Sequence, residues 1–123
     1  MDSKLLLIFF LALGAIFFLI ILFEEPKPSL ALDSTTSIIF YWGDGCPHCQ
    51  KVKNFIEENN LKTKITIIEK EVYKNKTNAQ ELLEVAKSCS LDTSTIGIPF
   101  LVYKNKCYIG SDQAIELLNS FLK

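Results

Sequence analysis

Apolar and polar positions divide this chain into two unlike parts. From Leu5 to Phe23 no charged residue interrupts the apolar run. As a helix rising about 1.5 Å per residue it would reach roughly 28 Å, close to the ~30 Å hydrocarbon thickness of a bilayer. The apolar segment of a cleavable signal peptide is usually only about 7–15 residues. Length therefore favours an uncleaved membrane anchor over residues 5–23, preceded by a short tail at 1–4. A cleaved leader is the alternative, because Ser29-Leu30-Ala31 offers small residues, although far from the apolar block. Lys4 and the terminal amine precede the run and only Lys27 closely follows it. That asymmetry predicts a single-pass protein with its N-terminus inside and its domain outside the cytoplasm. Residues 24–36, with Pro26 and Pro28 and few large apolar side chains, read as a tether.

The second part, 37–123, alternates short apolar runs with helical spacing. Ile38-Ile39-Phe40-Tyr41-Trp42 predicts a buried strand, which Gly43-Asp44-Gly45 breaks. Val52, Phe55, Ile56 and Asn59 fall on one side of a helix from Pro47 to Asn60, with Lys51, Lys53, Glu57 and Glu58 outward. Proline suits the first turn, where its missing N–H has no partner to lose. Ile65 to Ile68 predicts a second strand with charged ends. Thr77-Asn78-Ala79-Gln80 matches a capping box for a helix whose inner face is Ala79, Leu82, Leu83, Ala86 and Cys89. A third strand over Ile98–Tyr103 turns at Lys104-Asn105-Lys106 into a fourth over Cys107–Gly110. Ser111 or Asp112 caps a last helix with Ala114, Leu117, Leu118 and Phe121 on one face. The order βαβ, α, ββα predicts an α/β domain: a four-stranded mixed sheet with helices on both faces.

Composition narrows the function. The 123 residues carry a net charge of −1, and all thirteen basic residues are lysine. Without arginine the chain lacks the usual bidentate partner for phosphate and guanine, and it has no basic stripe, which argues against nucleic acid as a partner. The charged triplet Glu69-Lys70-Glu71 reads as solvated surface.

The chemistry concentrates in Cys46-Pro47-His48-Cys49. Two thiols at this spacing can close a disulfide within one helical turn. At the first turn of a helix the leading sulfur also sits in a positive field that favours thiolate. The same spacing occurs at haem attachment sites and in zinc sites. Haem attachment needs histidine after the second cysteine, where Gln50 stands. A zinc site would use Cys46, Cys49, Cys89 and Cys107, but the second pair lacks the short spacing usual for zinc. No metal and no cofactor is expected.

Strand, loop, Cys-Pro-His-Cys, helix, and Ile98-Pro99 opening a later strand together resemble the thioredoxin-fold superfamily over nearly all of residues 37–123. The tetrapeptide is similar to that of DsbA-type extracytoplasmic disulfide oxidoreductases. The compact size, with Gly97-Ile98-Pro99-Phe100 and Tyr108-Ile109-Gly110-Ser111-Asp112, resembles a glutaredoxin or a minimal thioredoxin domain. The resemblance implies that Cys46 is the nucleophile and Cys49 the resolving thiol. It implies that His48 stabilises the Cys46 thiolate and so makes the disulfide more oxidising. It also implies a cis Pro99, with the Ile98 backbone open to pair with an extended substrate segment. One departure stands out: Phe40 occupies the position where thioredoxins bury an aspartate.

The reading that follows is a membrane-anchored thiol–disulfide oxidoreductase acting on extracytoplasmic proteins through Cys46 and Cys49. Two alternatives stay open: a membrane-anchored reductase fed by a membrane redox partner, and a redox-inert domain that only binds a partner chain. For Cys89 and Cys107 three readings also stay open: two buried free thiols, a structural disulfide, or a second redox pair.

Overall fold

The computed structural model describes residues 2–22 and 36–123, with side chains for 2–19 and 36–123. It divides into two compact units, 1–32 and 33–123. The described residues of the first form the helix α1 (Ser3–Leu22), opened by the Asp2 carbonyl, which accepts the Leu5 N–H at 2.9 Å. Its large apolar side chains are exposed, Phe10 and Leu11 by about two thirds. Among the described residues no helix is long and apolar enough to cross a membrane. The tether expected at 24–36 and the Ser29-Leu30-Ala31 cleavage triplet lie outside the described residues, apart from Thr36.

The second unit contains β1 (Ser37–Trp42), α2 (Pro47–Glu58), a 3₁₀ turn (Leu61–Thr63), β2 (Thr66–Glu71), α3 (Lys76–Ser88), β3 (Phe100–Tyr103), β4 (Lys106–Ile109) and α4 (Gly110–Asn119). The sheet order is β2-β1-β3-β4. β1 runs parallel to β2 in the register Phe40↔Glu69 and antiparallel to β3 in the register Phe40↔Leu101. The α/β, four-stranded mixed sheet read from the sequence is therefore the observed one.

β1 is buried because both of its faces are covered. Ile38 and Phe40 join Val52 and Ile56 of α2, Leu101 of β3, and Ala114, Leu117 and Leu118 of α4 in one core. Alternation along the strand sends Ile39 and Tyr41 to the other face. There the Tyr41 ring meets Phe100 edge-on at 6.1 Å, and its hydroxyl donates to Glu81 of α3 at 2.7 Å. Burial, and then the neighbouring Glu81 carboxylate, push the Tyr41 phenol far above its ordinary range. Lys70 reaches the same carboxylate, so this charge is paired from two sides.

Several element boundaries differ from the sequence reading. β2 extends to Glu71 rather than stopping at Ile68, because it is an edge strand and tolerates charged side chains. β3 begins at Phe100, since Pro99 has no N–H to give a ladder. Asn75, not Thr77, caps α3: its Oδ1 accepts the Asn78 N–H at 3.1 Å. The capping box was displaced because Asn75 provides the same acceptor two positions earlier. Leu83 is exposed, and Val85 takes the inner position instead. α4 starts at Gly110, whose φ of +83° suits glycine, and the Gln113 side chain rather than Ser111 or Asp112 accepts the Ile109 N–H.

Candidate active site

β1 ends at Trp42, and Gly43-Asp44-Gly45 carries the chain to α2. Gly45 adopts φ +77°, where a side chain would be strained. Gly43 is constrained by space instead. A Cβ there would stand 2.5 and 2.6 Å from Tyr73 ring carbons and 2.7 Å from Ile98 Cδ1. The Cys46 N–H donates to the Gly43 carbonyl at 3.2 Å and closes the turn.

Cys46 is the N-cap of α2. Its backbone is extended (φ −83°, ψ 112°), and its Sγ accepts the Cys49 N–H at 3.2 Å. A sulfur placed there faces the positive end of the helix dipole, where charge on it is favoured. Pro47 follows at the first helical position. Cys46 and Cys49 are joined in a disulfide with their Cα atoms 5.3 Å apart. Cys49 is buried in the core, whereas Cys46 is half-buried, so Cys46 is the sulfur an incoming group meets first. The His48 residue is exposed between them.

Ile98 and Pro99 lie beside this loop. The bond between them is cis, Pro99 is buried, and its carbonyl accepts the Gly110 N–H at 2.8 Å. The close approach of Ile98 Cδ1 to Gly43 brings this corner against the turn that carries Cys46. Phe40 is fully buried six positions before Cys46, so the first strand supplies no carboxylate under the pair.

A cleft of about 260 Å³ opens at the pair, lined by Trp42, Asp44, Cys46, Cys49, Gln50 and Lys53. Lys53 extends over the Trp42 ring, 2.9 Å from its centre, and pairs with Glu69 at 3.5 Å. Asp44 pairs with Lys74, whose hydrogen bond and charge hold the Asp44 carboxyl below its ordinary range. A larger cleft of about 840 Å³, between Lys51, Tyr108 and Glu116, contains no cysteine and no histidine.

The sequence reading missed what holds this loop in place. Glu71, which reads as solvated surface in the sequence, is the last residue of β2. Its carboxylate accepts the backbone N–H groups of Asp44 (3.3 Å), Tyr73 (2.9 Å), Lys74 (2.8 Å) and Asn75 (3.2 Å). Partial desolvation pushes the Glu71 carboxyl up, but these four donors outweigh it and hold the group below its ordinary range. The Val72 N–H also donates to the Trp42 carbonyl at 2.8 Å. No periodic signal in the sequence marks the contacts from Glu71 to Asp44 and from Val72 to Trp42, which join residues about 30 positions apart.

Cys89 and Cys107 are joined in a second disulfide, Cα to Cα 6.3 Å. It ties the residue capping the C-terminus of α3 to β4. The four cysteines thus form two separate pairs. Among the described residues no group of three or more His, Cys, Asp or Glu is placed to hold a metal.

Neither a protein-family model nor a curated protein matches this chain. Solved structures do. The crystal structure of a mutant of the thioredoxin-like protein BC3987 is 26% identical and covers 71% of this chain and 100% of its own, with a TM-score of 0.51. The fold is thioredoxin-like. Glutaredoxin 1 from Francisella tularensis, crystallised with cacodylate, is 18% identical over 70% of this chain and 95% of its own, with a TM-score of 0.45. A thioredoxin-like domain carrying a cysteine pair at this spacing supports thiol redox chemistry as its general function.

Proposed function

We propose that this chain is a membrane-anchored thiol–disulfide oxidoreductase that acts on protein thiols and disulfides outside the cytoplasm. The observation that carries the redox half is the seat of Cys46: an N-cap sulfur, half-buried, bonded to a buried Cys49 and accepting its N–H.

In the oxidising direction a substrate thiolate attacks Cys46 Sγ. The Cys46–Cys49 bond breaks, its electron pair leaves on Cys49, and a mixed disulfide joins the substrate to Cys46. A second substrate thiolate then attacks the substrate sulfur of that bond and expels Cys46 as thiolate. The substrate loses two electrons and two protons overall, and the pair becomes a dithiol. The reverse sequence reduces a substrate disulfide, with Cys46 attacking and Cys49 resolving. In both directions the leaving or attacking Cys46 thiolate gains from the α2 N-terminus. We assign His48 to the same stabilisation, and the Ile98-Pro99 corner to docking of an extended substrate segment. Reoxidation or rereduction of the pair falls to a membrane redox partner.

The anchor rests on the sequence, in which Leu5 to Phe23 contains no charge. Its flanking lysines favour a domain outside the cytoplasm.

The test is exchange with a dithiol substrate and with a glutathione series. Cys46→Ser abolishes turnover, and Cys49→Ser accumulates mixed disulfides on Cys46. A potential above about −180 mV supports an oxidase or isomerase, and one near −270 mV a reductase. An unchanged rate in Cys46→Ser overturns the redox assignment.

A further inference from the structure

We propose that Lys53 sets the redox poise of the Cys46–Cys49 pair, acting on both sulfurs through its field. The inference rests on the redox reading above and adds a residue to it.

Lys53 lies seven positions after Cys46 and four after Cys49, so 3.6-residue periodicity puts all three on one side of α2. Helical side chains lean back toward the N-terminus, which directs the Lys53 stem toward the first turn. The chain does reach that way, since Lys53 lines the same cleft as Cys46 and Cys49. The Trp42 ring fixes the ammonium there, at 2.9 Å. The Lys53 side chain is only 20% exposed, which limits screening by water.

Its charge is not cancelled locally. Glu69 stands 3.5 Å from Lys53 but only 2.7 Å from Lys62, so that carboxylate is shared and its closer partner is Lys62. The other carboxylate in the cleft, Asp44, is engaged by Lys74. Of the two charged side chains that line the cleft, Asp44 is thus neutralised by Lys74 and Lys53 only in part by the shared Glu69, while Glu71, behind the Asp44 backbone, is held by four N–H groups.

A cation beside a cysteine pair stabilises thiolate and does nothing for a disulfide. Lys53 therefore favours the dithiol form and makes the disulfide a stronger oxidant. With Phe40 in place of a buried acid, no carboxylate on the first strand opposes this field.

The experiment uses the full chain in mild detergent. The Cys46 thiolate is titrated by its ultraviolet absorbance, and the disulfide is equilibrated against a glutathione series. Lys53→Met keeps the stem and removes the charge. It is expected to cut the thiolate fraction at fixed pH, and to move the glutathione equilibrium toward the disulfide by about tenfold, or about 30 mV. Lys53→Arg is expected to stay within about twofold of wild type. Should Lys53→Met fold poorly, Glu69→Gln gives an independent reading. It frees the Lys53 charge and must shift both quantities the opposite way. A wild type that exchanges with glutathione while Lys53→Met and Glu69→Gln match it overturns the Lys53 role alone. A wild type that does not exchange at all overturns the redox reading and the Lys53 role with it.

Discussion

The Glu71 carboxylate accepts the backbone N–H of Asp44, 27 positions earlier, at 3.3 Å. The same carboxylate holds the N–H groups of Tyr73, Lys74 and Asn75, so one side chain fastens the loop before Cys46 to the loop before α3. A neutral amide in its place would keep the shape but has one accepting oxygen, so two of the four bonds would be lost to a facing NH2 and the other two weakened, since charge-assisted bonds are roughly twice as strong as neutral ones. Glu71→Gln should raise amide hydrogen exchange at Asp44, Tyr73, Lys74 and Asn75 while leaving β1 and β3 protected. Unchanged exchange at those four amides would sink the role given to Glu71.

Acid should expose the same dependence in stability. Glu71, Asp44, Glu69 and Asp92 all have carboxyls held below their ordinary range. Backbone donors outweigh desolvation at Glu71; Lys74 acts at Asp44; Lys62 and Lys53 outweigh desolvation at Glu69; Ser94 acts at Asp92. A lowered folded pKa means the unfolded chain binds protons first as pH falls. The stability these groups add is therefore complete above their unfolded values, about 3.9–4.3, and is lost as pH drops through the lower folded ones. The unfolding midpoint should hold steady from about pH 7 to 5 and fall below about pH 4. Glu71→Gln should start lower and show a shallower acid limb. Parallel curves for the two proteins would show that Glu71 contributes no such linkage.

Gly43 packs where a methyl group has no room. Gly43→Ala would drive its Cβ into the Tyr73 ring and Ile98 Cδ1, at 2.5 to 2.7 Å. Overpacking of this kind costs about 1–3 kcal/mol. Tyr73 is exposed and can yield, whereas Ile98 is bound to buried Pro99. Exchange activity should therefore fall with stability, because the displaced element carries the Ile98-Pro99 corner. Tyr73→Ala in the Gly43→Ala background should recover part of the loss. Additive losses in that double-mutant cycle would refute the contact.

The fold could be read from the sequence wherever burial is periodic. Val52 and Ile56 repeat at helical spacing, and Ile38 to Tyr41 form an unbroken apolar run because helices cover both faces of β1. The Cys46–Cys49 pair was visible because its two partners lie within one turn. Glu71, Tyr73 and Lys53 were not, since polar and loop contacts follow no period, and Asp44, Gly43 and Trp42 respectively are distant from them in sequence. The Thr77 box failed for a related reason: two capping residues stood within three positions, and Asn75 took the cap. β2 was cut short because an edge strand with Glu69, Lys70 and Glu71 looks like surface.

The Cys89–Cys107 disulfide closes a separation of 18 residues that includes the whole approach to Ile98 and Pro99. Cross-linking a loop of about that length removes roughly 3 kcal/mol of unfolded-state entropy. The Cys89→Ala, Cys107→Ala double variant should unfold at a lower denaturant midpoint, by about 2–4 kcal/mol, yet still form the Cys46–Cys49 bond. Mass spectrometry of the non-reduced wild type should yield a Cys89–Cys107 peptide. Equal stability of the double variant, with free thiols at both positions in the wild type, would overturn the pairing.

The Tyr41–Glu81–Lys70 cluster separates two kinds of loss. Tyr41→Phe removes one hydroxyl and leaves Glu81 paired with Lys70, so it should cost about 0.5–1.5 kcal/mol. Glu81→Ala strands the Tyr41 hydroxyl in the core and leaves Lys70, with a side chain only 19% exposed, without its carboxylate. Leaving a buried donor unsatisfied costs more than losing one bond of a satisfied group, so this variant should lose about 1–3 kcal/mol. In the Glu81→Ala background, Tyr41→Phe should then be close to neutral, because it removes the stranded hydroxyl. Chemical denaturation of the four proteins gives the coupling directly, and a coupling near zero would mean that the 2.7 Å bond adds nothing to stability.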